Sequence, residues 1–179
     1  MSTVAVVGAI VLGLLLAETR VSWRHERELR RLGAVCPPGD VYAAMAVLYP
    51  ATFVAMMIEG LWRAGTEPVQ APDGPNWFAS GVLLFAASKA LKYWAIRSLG
   101  VRWTFRVFNV PSLPLVTSGP YRYLAHPNYV AVVGELVGAA MMCGAPIAGS
   151  VGLAAFGTAL WLRVRFETTV LGAHRERRG

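Results

Sequence analysis

Long apolar runs separated by short blocks of charge are what most restrict the fold open to this sequence. The runs at 2–18, 41–62 and 77–96 approach or reach the roughly 20 residues that cross a hydrocarbon core of about 30 Å. Two shorter runs, 127–143 and 146–162, are separated only by Gly144-Ala145-Pro146, so they must fold back on each other as a hairpin. A soluble domain carries about 25% charged residues. This chain of 179 residues carries 15%, with 55% hydrophobic residues and a mean hydropathy of +0.47. The expected fold is an all-α, polytopic integral membrane protein of about five transmembrane helices ending in a helical hairpin.

Charge placement predicts the orientation, because Lys and Arg near span ends favour the cytoplasmic side. All but Arg63 of the 17 basic residues lie after span one, between the inner end of span three and span four, or after span five. That predicts an outside N-terminus and a cytoplasmic C-terminus. The same asymmetry, with attraction to anionic lipid, explains the formal charge of +7 better than nucleic acid does, and no nucleic-acid motif is present. The first apolar run lacks the positive n-region and the cleavage site of a signal peptide and is expected to stay as a membrane helix. Cys36 and Cys143 are far apart and lack C-x-x-C spacing, so they are expected as thiols, with neither a disulfide nor a metal site.

Chemistry is expected in the polar pieces 97–126 and 163–179. The densest constellation runs from Gly119 to Tyr129, GPYRYLAHPNY. Pro127 suits the first turn of a helix, which puts His126 at its cap, where free N–H groups favour an anion. The plain alternative is a capped helix with Tyr and Arg anchored at the interface. Arg163 and Glu167 share a helical face as an i, i+4 pair; alone, that is an interfacial ion pair. The hairpin between the two clusters returns both to one surface, which favours a shared site. Glu18, Glu59 and Glu135 lie at or near membrane depth, where ionisable groups are paired or functional. Glu135 is expected to face a cavity or to pair with Lys89 or Lys92, and Glu59 to reach the outer interface. His25 and His174 are expected on the solvated surface. Gly134 and Gly138 form a G-x-x-x-G face suited to close packing on a neighbouring helix.

These residues resemble the membrane-embedded isoprenylcysteine carboxyl methyltransferase family. The likeness rests on Pro114-Leu115-Val116-Thr117-Ser118-Gly119-Pro120-Tyr121-Arg122-Tyr123, then His126-Pro127-Asn128-Tyr129, then the hairpin, then Arg163 and Glu167. It implies S-adenosylmethionine as methyl donor, held without a Rossmann fold by Leu113, Pro114, Leu115, Val116, Tyr121, His126 and Tyr129. It also implies that Arg163, Glu167 and His126 carry the catalytic work, in a region 97–179 that follows N-terminal helices at 1–96. Ala125, Leu113 and Thr168 depart from the family pattern at an arginine, a histidine and a second glutamate. Thr168 bears on the acceptor, since it cannot serve as a base. A carboxylate is already ionised at neutral pH, but a phenol must lose a proton, which Glu167 or His126 would accept. Aromatic faces such as Tyr121 or Trp103 would favour the cation, and the start of span four or Arg122 would take the donor's carboxylate.

The N-terminal half, with Ser22-Trp23-Arg24-His25-Glu26-Arg27 followed by Leu32-Gly33-Ala34, is similar to bacterial members associated with alkylpyrone and alkylresorcinol polyketides. The resemblance therefore implies O-methylation of a long-chain phenol or pyrone at a bacterial inner membrane. Carboxyl methylation of a prenylcysteine-like substrate is the alternative. Two other classes compete: an NADPH-dependent membrane reductase with a similar C-terminal arrangement, and a non-catalytic scaffold using Gly134 and Gly138 as a dimer face. Oligomeric state is not legible in the sequence.

Overall fold

The computed structural model describes residues 2–36, 39–66, 75–108 and 116–176, side chains at 75 and 166–176 excepted. Five helices account for most of them: α1 (Thr3–Arg31), α2 (Tyr42–Thr66), α3 (Pro75–Leu99), α4 (Pro127–Cys143) and α5 (Pro146–Glu176). Short 3-10 turns occupy Gly100–Arg102 and Gly119–Arg122, and no β-strand occurs among the described residues. The protein is an all-α polytopic membrane protein. Thr3–Arg31, Tyr42–Thr66 and Pro146–Arg165 are long and apolar enough to cross a bilayer, and α4 is a shorter apolar helix. The expected span 77–96 lies within α3, which has a comparable length of 25 residues and carries Lys89 and Lys92; by length and composition it is not among those three.

Side chains sort by what surrounds them. Val47, Ile58, Leu83 and Val151 are exposed on the helix bundle, where lipid is their solvent. Phe53 and Met56 of α2, Leu136 and Ala139 of α4, and Phe156 of α5 form the buried core with Val7 and Val11 of α1. The expected hairpin is present, with α4 at its expected bounds and α5 starting at Pro146 as expected but continuing past Leu162 to Glu176. It turns at Gly144, whose φ of 59° is open to glycine without strain and whose N–H reaches the Ala140 and Met141 carbonyls. Glu59 of α2 then accepts the Ile147 and Ala148 N–H groups at 3.2 and 2.6 Å, and Arg63 holds it at 2.9 Å. Glu59 thus satisfies donors that the start of α5 would otherwise leave orphaned, a role that its sequence position did not reveal.

Gly134 and Gly138 pack inside the chain. A Cβ at Gly138 would meet the Gly81 carbonyl and the Phe85 backbone of α3, and one at Gly134 would meet Ser88. The expected close packing on a neighbouring helix is therefore with α3, which occupies the face that the competing scaffold reading assigned to a dimer. Four helices also meet around buried charge. Lys89 and Lys92 of α3 lie 2.6 and 2.8 Å from Glu18 of α1, and each lies 3.1 Å from Glu135 Oε2 of α4. Tyr49 of α2 donates its hydroxyl to the same oxygen. Glu135 therefore pairs with both lysines, and neither lysine is the flanking interfacial charge that the sequence suggested.

Candidate functional site

The polar end of the bundle is assembled from segments far apart in sequence. With 29 residues, α1 is about 43 Å long at 1.5 Å per residue, so its last turns extend beyond a hydrocarbon core of about 30 Å. The sequence ended this span near residue 18; the helix continues to Arg31. On that extension Ser22 Oγ accepts the Phe105 N–H at 2.9 Å, and His25 Nδ1 bonds the Trp103 carbonyl at 2.7 Å. A carbonyl only accepts, so Nδ1 is the donor in that bond. His25 is a half-buried strut, not the solvated surface histidine expected. Trp103 is 2% exposed and donates its indole N–H to Asn128 Oδ1 at 3.2 Å. It ties the 103–108 segment to the start of α4, and its burial removes it as an aromatic face for a cation.

Three of the expected site residues converge. His126 is the N-cap of α4, and Pro127 occupies the first turn, as its fixed φ favours. The His126 ring stacks on Tyr129, one turn on, with centroids 5.2 Å apart and planes at 15°. The Tyr129 hydroxyl accepts the Arg163 Nε–H at 3.1 Å, which joins α4 to α5. Arg163 is 4% exposed, so it is no interfacial anchor. Its NH1 lies 3.2 Å from Asp40 Oδ1, in the loop between α1 and α2. Sequence reasoning missed Asp40. Gly39-Asp40 ahead of an apolar run signals a helix start, and Asp40 Oδ1 does accept the Tyr42 N–H at 3.1 Å, but nothing local points to Arg163.

Tyr121 is half-buried on the Gly119–Arg122 turn. Gly119, at φ 62°, lies against Ser98 and Trp94 of α3, and Tyr93, Trp94, Arg97 and Ser98 line a shallow cavity of about 560 Å³. Val116 is half-buried just before that turn. Leu113, Pro114 and Leu115 lie outside the described residues. Glu167 is on α5, one turn past Arg163, with its side chain outside the description, as is that of His174. An apolar groove of about 400 Å³ runs between α3 and α4, walled by Leu84, Ala87 and Leu91 and by Val130, Val133 and Val137. Val130 follows Tyr129 in sequence but, about 100° further round α4, lies on the α3 side, while the Tyr129 hydroxyl meets Arg163 of α5.

Comparison with known proteins gives a family. The model described as the isoprenylcysteine carboxyl methyltransferase (ICMT) family matches residues 81–173, a range that contains His126, Tyr129, Arg163 and Glu167. The chain is 26% identical over 129 residues to the uncharacterized protein YpbQ of Bacillus subtilis, covering 72% of this chain and 73% of that one. It is 24% identical over 164 residues to an uncharacterized protein of Haemophilus influenzae, covering 91% of each. No solved structure gives a significant match.

Proposed function

The chain belongs to the isoprenylcysteine carboxyl methyltransferase family and is on that ground a membrane methyltransferase; we propose that it moves a methyl group from S-adenosylmethionine to an oxygen of a lipidic acceptor, favouring the hydroxyl of a long-chain phenol or pyrone. The observation that carries this reading is the convergence of His126, Tyr129 and Arg163 at one end of the bundle, inside the matched range.

The residues there suit the donor. The Tyr129 ring is the kind of face that favours a cation, and Tyr121 stands on the turn beside the Trp94–Ser98 cavity. When bound, S-adenosylmethionine supplies an activated methyl group on a sulfonium. The chain's own part is to bind, align and exclude water, which is most of what a displacement between two bound partners requires. Leu113, Pro114, Leu115, Val116, Tyr121, His126 and Tyr129 form the proposed donor-binding set. Arg163 positions the reacting groups, and Glu167 or His126 takes the proton from a phenolic acceptor. The groove between α3 and α4 is apolar along its length, which suits an alkyl chain entering from the lipid.

We place the N-terminus outside and the C-terminus in the cytoplasm of a bacterial-type inner membrane, with residues 97–179 as the catalytic region and 1–96 as helices that flank it. The test is transfer of labelled methyl groups to long-chain phenols, pyrones and prenylcysteines. Labelled phenol or pyrone ether supports the favoured acceptor, and labelled prenylcysteine ester alone moves the assignment to carboxyl methylation. Full turnover by Glu167→Gln removes Glu167 from the proton-accepting role.

A further inference from the structure

We propose that Asp40, in the loop between the first two helices, is a positioning residue that holds the Arg163 guanidinium in its working orientation. This rests on the reading of Arg163 as a working residue of the methyltransferase site. It goes beyond that reading, because Asp40 lies outside the matched range 81–173 and belongs to a half of the chain otherwise cast as flanking membrane helices.

The geometry is that of a fixed carboxylate. Oδ1 receives the Tyr42 N–H at 3.1 Å and Oδ2 the Val107 N–H at 3.1 Å, so two backbone segments orient it before Arg163 is counted. Arg163 NH1 then meets Oδ1 at 3.2 Å, with only 7% of the Asp40 side chain and 5% of the Arg163 side chain exposed. Charge-assisted bonds of this kind are stronger and more directional than neutral ones. The guanidinium is held at NH1 by Asp40 and at Nε by Tyr129, which fixes its plane from two sides. A planar fork with two of its edges set in advance is held in one orientation. That is how binding groups gain precision from their supporting shell. The same carboxylate ties the 103–108 segment, through Val107, to the residue it orients.

The experiment compares Asp40→Asn, Asp40→Glu and Arg163→Ala, singly and with Asp40→Asn combined with Arg163→Ala, in detergent-purified full-length protein. Readouts are S-adenosylmethionine affinity, kcat, KM and thermal midpoint. Asp40→Asn loses the charge and keeps one oxygen acceptor, so only one of the Tyr42 and Val107 N–H groups retains its partner; Asp40→Glu keeps the charge and displaces it. For either variant we expect kcat to fall by about tenfold to a hundredfold, the scale of a small misplacement at a reacting site, in protein that keeps a cooperative thermal transition. In the Arg163→Ala background Asp40→Asn should have no further effect on kcat, since residues acting through one another are non-additive. Unchanged kcat in a folded Asp40→Asn or Asp40→Glu protein overturns the proposal, as does an equal further loss in the Arg163→Ala background, which would mark a loop brace. Wild-type protein that neither binds the donor nor transfers a methyl group overturns the methyltransferase reading and this proposal together.

Discussion

Lys92 of α3 sets its ammonium 2.8 Å from Glu18 Oε2 of α1, and neither side chain exposes more than 2% of its surface. The pair is one edge of a cluster in which two lysines on one helix are matched by carboxylates from two others. Charge of this kind at membrane depth is tolerated only when partnered. It explains how α3, which carries two buried lysines, sits inside a lipid-embedded bundle.

Removing one member should therefore be more damaging than removing two. Glu135→Gln or Lys92→Met alone leaves an uncompensated buried charge, and breaking a buried pair destabilises by about 3–5 kcal/mol. The double variant Lys92→Met with Glu135→Gln leaves Glu18 paired with Lys89 and should recover most of that loss. Denaturant unfolding in detergent measures it, and single variants as stable as wild type would show that the cluster is not what holds α3.

The two glycines of α4 should respond unequally to alanine. At Gly138 the new methyl meets backbone of α3, at Gly81 and Phe85, whereas at Gly134 it meets the Ser88 side chain, which can rotate away. Gly138→Ala should lower stability by about 1–3 kcal/mol, the range for overpacking, and Gly134→Ala by less. Neither should alter oligomeric state in size-exclusion chromatography with light scattering, because both glycines are used inside the chain.

Glu59 should matter to stability and not to chemistry. It satisfies two N–H groups at the start of α5, and loss of a cap costs about 1–2 kcal/mol. Glu59→Ala should lower the thermal midpoint while leaving S-adenosylmethionine affinity at the opposite end of the bundle unchanged.

Tyr129→Phe separates the two contacts that Tyr129 makes. The ring still stacks on His126, but the acceptor for Arg163 Nε is lost. A hydrogen bond to a charged group contributes about 1.5–3 kcal/mol. Turnover should fall by roughly tenfold or more with donor affinity nearly retained, and a variant with wild-type kcat would detach Tyr129 from the Arg163 arrangement.

What the sequence made legible follows from how local each signal is. The bounds of α4 and the start of α5 were readable because Pro127, Gly144 and Pro146 dictate backbone conformation where they stand. His126 and Tyr129 came together because three residues is nearly one helical turn. The joining of Arg163 to that pair was readable only in outline, from the hairpin that folds α5 back along α4. Asp40, His25 and Trp103 were missed or misassigned because their partners are 123, 78 and 25 residues away, across turns whose geometry no local pattern encodes. The charge cluster was half-visible: Glu135 could be matched to Lys89 or Lys92 by depth, while Glu18 looked like the end of a span that in fact continues to Arg31.

The central claim is that the end of the bundle where His126 stacks on Tyr129 binds a methyl donor. Calorimetric titration of S-adenosylmethionine into detergent-purified protein, with NADPH as control and His126→Ala as the site variant, tests it most directly. The account predicts saturable binding of S-adenosylmethionine, none of NADPH, and loss of binding in a folded His126→Ala protein. Binding of NADPH without S-adenosylmethionine, or of neither by folded protein, would contradict it.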